Sequence, residues 1–407
     1  MKIPMSAPDV SQSEIDAVVQ VLRTPHLSMG PQIEAFEAEM ARLAGVPHAV
    51  GVNSGTAGLH LAVIAAGLGE DDWVVTTPFS FVASANCLLY ERALPVFVDV
   101  DESTGNIDPG RVEEAVSAIR RGRKNAKTFL PRSHRRKKLR PSRLRAMLPV
   151  DVFGQPAEMD RLREIARANR LVVIEDACEA LGSSYKGRPA GGLGDVGVFA
   201  YYPNKQMTTG EGGALVTGRA EWADMARSLR NQGRAPGATW LEHVRLGYNY
   251  RLDELSAALG VAQARRLEDL INRRHRVAMW YTQRLEGLER VRPPHIASTT
   301  TRISWFVYVV RILPPVSRID VARHMLQREI PTRNYFSPIH LQPFYVERFG
   351  FRRGDFPVTE LLGEQSLALP FSSVMTEEQV DAVCRELKSA VGEGEPALAS
   401  SPPMGAH

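Results

Sequence analysis

This 407-residue chain has no long apolar run. No stretch approaches the roughly 18 uninterrupted apolar residues of a membrane-spanning helix, which excludes a helical integral membrane protein. Cysteine is scarce. Cys87, Cys178 and Cys384 are odd in number and far apart, so they form neither a disulfide framework nor a C-x-x-C metal knuckle. That usage, and a start (Met1-Lys2-Ile3-Pro4-Met5) without the apolar core of a signal peptide, leads us to expect a cytoplasmic protein. Internal repeats at solenoid periods are also missing.

One sign of charge is missing locally. Between Arg120 and Arg145 there is no acidic residue, and that window holds 13 of the 50 Lys and Arg. The overall balance of +4 and pI near 9.0 suggests a polyanion binder. Outside the window, however, 37 basic residues face 46 acidic ones, a net −9. The basic character belongs to one segment.

What is present is a soluble globular composition, 44% apolar and 24% charged, long enough for about two domains. Ser11 and Glu14 form a capping box, with Ile15, Val18, Val19 and Leu22 following at helical spacing. A second amphipathic helix is expected over Pro31–Leu43. Strand-like runs then alternate with helical ones. The runs are His48–Val52, Trp73–Thr77, Pro95–Val100, Leu148–Val152, Leu171–Glu175, Val196–Tyr201 and Ala214–Thr217. This pattern describes an α/β domain on a mostly parallel seven-stranded sheet with helices on both faces. We expect it to occupy residues 1–240. A smaller C-terminal α+β domain is expected over 241–392, opening with a long helix Leu252–Leu285. Residues 393–407 are expected to be a disordered tail.

Four local features bear on chemistry. Gly192-Leu193-Gly194-Asp195-Val196-Gly197 matches G-x-G-x-x-G, but a strand follows it rather than a helix, so it is set aside as a dinucleotide site. Asn53-Ser54-Gly55-Thr56-Ala57-Gly58 follows an apolar strand and opens a helix. Its bare N–H groups at the positive helix end suit a phosphate, or make only a tight turn. Leu171–Glu175 runs into Asp176, an acid at a strand's carboxyl end, where α/β folds bind ligands. Lys205 lies just past an apolar strand and before Gly210-Glu211-Gly212-Gly213. Buried, such a lysine can serve as a Schiff-base nucleophile or a general base. Phosphate turn, strand-end aspartate and isolated lysine are together what a pyridoxal 5'-phosphate (PLP) site requires.

Further runs make the match specific. They are Pro78-Phe79-Ser80-Phe81-Val82-Ala83-Ser84-Ala85-Asn86, Val96-Phe97-Val98-Asp99-Val100-Asp101 and Phe153-Gly154-Gln155-Pro156-Ala157, with Gly247-Tyr248-Asn249-Tyr250-Arg251 and Pro338-Ile339-His340. In this order they resemble the DegT/DnrJ/EryC1/StrS sugar aminotransferases, PLP enzymes of fold type I, over about Ile3 to Ala390. The resemblance implies that Lys205 binds the cofactor covalently and that Asp176 pairs with its pyridine nitrogen. It implies that Gly55 and Thr56 hold the phosphate, that Phe81 lies against the ring, and that position 179 is near the 3-hydroxyl. Asn249 would reach the cofactor of a partner subunit, which implies a homodimer with shared sites. Arg234, Tyr335 and His340 fall in segments that line the substrate cleft in relatives.

Two positions depart from the commoner family pattern. Glu179 stands where many relatives carry Gln or His, and a carboxylate there repels a phenolate unless protonated or turned away. Ala200 lacks the serine hydroxyl that bonds the phosphate in many relatives. The implied activity is transfer of an amino group from glutamate to a nucleotide-linked 3-keto or 4-keto sugar. One alternative is a PLP-dependent sugar-nucleotide dehydratase, against which Lys205 argues, since such relatives typically lack it. Another is a regulatory nucleic-acid binder using the 120–145 segment, against which its single aromatic (Phe129) and lack of a reader motif argue. That segment reads as an insertion in a connection that is short in relatives. The expectation is a solvated, mobile loop. The competing reading is a contact for the substrate's diphosphate or an acidic partner.

Overall fold

The computed structural model describes residues 2–235 and 242–392. Its strands are β1 (His48–Val52), β2 (Trp73–Thr76), β3 (Leu94–Phe97), β4 (Leu144–Leu148) and β5 (Val172–Asp176). They continue with β6 (Ser184–Tyr185), β7 (Arg188–Pro189), β8 (Val196–Ala200) and β9 (Gly213–Thr217). The last four are β10 (Val291–Arg292), β11 (Thr300–Arg302), β12 (Tyr308–Ile312) and β13 (Ser366–Leu369). The large sheet has seven strands in the order β1-β9-β8-β5-β4-β2-β3, and every pairing is parallel except those of β9. This is the sheet expected from sequence. Its strands are apolar and buried almost throughout, as a sheet covered on both faces requires. The helix Gly55–Ala65 is apolar on nearly every side for the same reason. A three-stranded sheet, β10-β12-β13, carries the second body, and β11-β6-β7 form a small ribbon.

Several local expectations change. The fourth strand lies at Leu144–Leu148 rather than Leu148–Val152. Pro149 has no N–H for a ladder, and Val152–Gly154 is a tight turn with Phe153 left-handed at φ 59°. The expected helix Leu252–Leu285 is two helices, Glu254–Arg265 and Leu267–Leu285. They break at Arg266, whose side chain is drawn into ion pairs with Asp9 and Glu14. The first helix, Gln12–Leu22, has its capping box, but Ile15 and Leu22 are exposed. Its inner face carries Val21 and the buried Glu14, which bonds Gln263.

The bodies also divide differently from a cut near residue 241. Ala257, Val261, Leu267, Leu270 and Ile271 pack beside the large sheet with Ile33, Phe36 and Met40. Val277, Ala278 and Tyr281 pack with the small sheet, and so does Ile3. The changeover therefore falls inside the helix Leu267–Leu285, and the chain start returns to the second body. The expected tail, 393–407, lies outside the described residues.

The basic segment is docked, contrary to the mobile loop expected. It forms short helical turns at Ala126–Phe129, Arg132–His134 and Pro141–Arg143, with Ala126 and Leu130 buried. Phe129 and Leu139 pack on a cluster containing Phe349 and Phe351. Arg132 reaches Asp355 through two bonds, and Arg120 caps the carbonyls of Pro141, Leu144 and Asn169. Apolar anchors and bonded arginines thus hold what composition alone assigns to solvent. Arg121, Arg123, Lys124, Arg136, Lys137, Lys138 and Arg145 stay exposed.

Candidate active site

A cavity of about 460 Å³ opens at the carboxyl ends of β5 and β8, and the sequence-expected residues meet in it. Gly55, Thr56, Phe81, Asp176, Glu179, Lys205 and Tyr335 all line it. Ser54 caps the helix Gly55–Ala65 by accepting from the N–H of Ala57. The N–H groups of Gly55 and Thr56 precede any carbonyl of their own helix that could bond them. The reason for the later glycines is steric: a Cβ on Gly213 would stand 2.5 Å from the carbonyl oxygen of Ser54. The Gly212-Gly213 pair therefore lets the Lys205 loop close onto the turn. Ala200, without a hydroxyl, also lines the cavity. A Cβ on Gly55 would come within 2.7 Å of its methyl.

Asp176 is 3% exposed at the end of β5. Ser84 Oγ donates to its Oδ2 at 2.6 Å and the Cys178 N–H donates to Oδ1 at 3.2 Å, which fixes the carboxylate. Ser84 in turn bonds Ser80. Neither serine was singled out in the sequence, because small polar residues in a small-residue run give no signal of their own. Burial raises the Cys178 thiol well above its ordinary range, so it stays protonated.

Lys205 Nζ stands 3.8 Å from the centre of the Phe306 ring and 3.7 Å from Glu179 Oε1. The other Glu179 oxygen accepts from the N–H of Phe153 at 2.9 Å. Burial raises this carboxyl above the usual range, while the Lys205 ammonium pulls it down. One oxygen is thus turned to a backbone donor and the other to the lysine. Phe306 stacks on Tyr335 with the rings 10° apart. Phe306 comes from the second body, 101 positions beyond Lys205, and nothing in the local sequence marks it.

Three expected residues stand elsewhere. His340 is wholly buried, bonds Glu360 at 2.9 Å and packs on Phe356, outside the cavity, so it does not line the cleft of this subunit. Burial depresses it below the ordinary imidazole range against the pull of Glu360. Asn249 falls in the chain between Tyr248 and Tyr250, whose rings stack on each other, and is not in its own subunit's cavity wall. Arg234 is likewise outside that wall. No residue of the 120–145 segment lines it either.

The glycine motif set aside in the sequence is accounted for. Glu175, wholly buried, accepts from the N–H groups of Gly191, Leu193 and Gly194 at 2.6, 2.7 and 2.9 Å. The loop wraps a carboxylate of its own chain. Among the described residues no group of His, Cys, Asp and Glu is arranged to hold a metal ion, and no helix is long and apolar enough to cross a membrane.

The donor set suits PLP: a fixed acid for a protonated ring nitrogen, a lysine for the aldehyde, and free helix N–H groups for the phosphate. Comparison with known proteins agrees. GDP-perosamine synthase of Caulobacter vibrioides is 35% identical over 95% of this chain and 97% of its own. The spore coat polysaccharide biosynthesis protein SpsC of Bacillus subtilis is 33% identical over 96% and 97%. The crystal structure of S. venezuelae DesV in complex with a ketimine intermediate is 32% identical with a TM-score of 0.84, covering 96% of this chain and 98% of DesV. Matched by the family model over residues 8–388, the chain belongs to the DegT/DnrJ/EryC1/StrS aminotransferase family, PLP-dependent enzymes of fold type I.

Proposed function

We propose that this enzyme moves an amino group from glutamate to the keto carbon of a nucleotide-linked deoxysugar, at its 3- or 4-position, in amino-sugar biosynthesis. The observation that carries the reading is the convergence of Lys205, Asp176 and the Gly55–Thr56 helix end on one cavity. The names of the relatives, a GDP-perosamine synthase and a polysaccharide biosynthesis protein, support a nucleotide-linked sugar as acceptor.

PLP, when bound, supplies an aldehyde carbon for the amine and a ring that accepts the electron pair released beside it. The N–H groups of Gly55 and Thr56 would hold its phosphate at the positive end of the helix dipole. The Asp176 carboxylate, which Ser84 keeps in place, would keep the ring nitrogen protonated. Phe81, in the cavity wall, would lie against the ring. Lys205 Nζ takes up the proton from the α-carbon of the donor and returns one in the reverse half-reaction, serving as base and then acid. Glu179 beside it balances the ammonium charge.

Purified enzyme given glutamate and a panel of 3-keto and 4-keto sugar nucleotides is expected to release 2-oxoglutarate with at least one of them, and Lys205→Ala is expected to abolish that release. A Lys205→Ala protein of undiminished turnover would sink the assignment.

The working unit is proposed to be a homodimer. Asn249 stands outside its own cavity, while Phe81 and Tyr90 are exposed apolar side chains, 62% and 52% accessible. Mixing and refolding inactive Lys205→Ala with inactive Asn249→Ala is expected to restore activity, because one site of the mixed dimer then has both residues. No recovery, with mixed dimers present, refutes the shared site.

A further inference from the structure

Arg274 sits in the middle of the helix Leu267–Leu285 and is 2% exposed, among the largest fully buried side chains. Its hydrogen-bond partners are backbone carbonyls, its Cζ lies 5.7 Å from the centre of the Phe371 ring, and among the described residues no ion pair with a carboxylate is formed. Nη1 donates to the oxygens of Trp305 and Phe306, each at 3.2 Å. Nη2 donates to those of Asn204 at 3.2 Å and Lys205 at 2.5 Å. Burial pulls the guanidinium down to about 10, so keeping it charged here is costly. An apolar side chain of similar length avoids that cost but leaves the four carbonyls without this donor, so what the arginine supplies is the link among them.

The four carbonyls belong to two bodies. Asn204 and Lys205 form the turn after β8, and Trp305 and Phe306 lead into β12. The helix changes partners at the same place, with Ile271 packing beside the large sheet and Val277 with the small one. Trp305 is held twice, since its indole also donates to His275 Nδ1 at 3.2 Å, and its backbone is left-handed at φ 53°. Phe306 is the ring under the Lys205 ammonium. The guanidinium therefore touches the backbone of the lysine and that of the ring on which the lysine rests.

We propose that Arg274 is a positioning residue, setting the distance between Lys205 and the Phe306 wall and thereby where the lysine amine stands when it takes and gives its proton. This rests on the assignment of Lys205 above. The other titratable groups lining the cavity with that amine are Asp176, Cys178, Glu179, Tyr202, Glu211 and Tyr335, which the variants below leave in place. A misplacement of about 1 Å costs on the order of 100-fold in rate.

Arg274→Lys keeps a charge on a compact head that cannot span both carbonyl pairs. Arg274→Met keeps length without charge. In the PLP-loaded enzyme, kcat is expected to fall by about tenfold or more with KM nearly unchanged. The pH midpoint of the visible absorption of the lysine-bound cofactor is expected to move by roughly half a unit. In cofactor-free protein, the pH dependence of Lys205 acylation, read by peptide mass, is expected to shift too. A folded variant with the parental kcat and midpoints overturns the proposal, as does a loss confined to Tm or KM. If only Arg274→Lys folds, the same criteria apply to it; if neither folds, Arg274 is a folding requirement and the proposal fails. An absorption band that survives in Lys205→Ala sinks the lysine assignment. A band that vanishes there but keeps its midpoint in the Arg274 variants sinks only the present proposal.

Discussion

The turns Asn53-Ser54-Gly55-Thr56 and Gly191-Gly192-Leu193-Gly194 both carry glycine beside an apolar strand, yet their N–H groups face different things. Those of the second converge on the buried carboxylate of Glu175, while Gly55 and Thr56 face an open cavity with Asp176 in its wall. The two acids are neighbours on β5, and alternation along a strand sends them to opposite faces. A glycine-rich turn is thus a ligand site only where no internal acceptor has already taken its donors. Steric demand differs as well. A Cβ on Gly192 would meet the backbone oxygen of Ala44 at 2.2 Å, so that loop is packed shut.

The sharpest way to break this comparison is to remove charge from each acid in turn. Asp176→Asn, on the open side, is expected to lower kcat by about 10³-fold, in the range of lost proton-transfer control, with little change in melting temperature. Steady-state turnover beside a thermal melt checks it; comparable losses in both would make Asp176 structural. Glu175→Gln, on the closed side, is expected to do the reverse. Weakening charge-assisted bonds to three N–H groups should cost about 2 kcal/mol of stability, read by urea unfolding, with turnover of the folded protein largely kept.

A smaller effect sharpens the closed side. Asp151 is wholly buried next to Glu175, and burial followed by the Glu175 charge raises its carboxyl well above the ordinary range. It holds a proton in the folded state that it loses near pH 4 when unfolded. The folded state therefore binds more protons, and this group's contribution to stability falls as pH rises from that range toward the raised folded value. Asp151→Asn replaces the proton with an amide. The melting temperature of the parent is expected to decline from pH 5 to 8 relative to the variant, and parallel curves would contradict the pairing.

Most of the large sheet was legible in the sequence, because strands buried on both faces read as short apolar runs, and so were Lys205, Asp176 and the Gly55–Thr56 turn. The misplaced strand at Leu144–Leu148 shows the limit, since its first residues lie inside a segment whose charges outweigh its apolar positions. His340 shows another. Its motif was visible, but its partner, Glu360, lies 20 positions away and holds the ring inside the protein. Phe306 and Arg274 were invisible for a similar reason, being defined by contacts across 101 and 69 positions.

By itself the sequence determined most of the elements of the large sheet and the chemical groups at strand ends, which depend on residues a few positions apart. It also located the charge anomaly between Arg120 and Arg145. Only the tertiary structure decided which glycine turn stays open, that Arg132 docks the basic segment on Asp355, and that a buried guanidinium ties Lys205 to Phe306. Each of those outcomes turns on whether a polar group finds its partner in the same protein. For partners distant in the chain, that is a property of the packed fold.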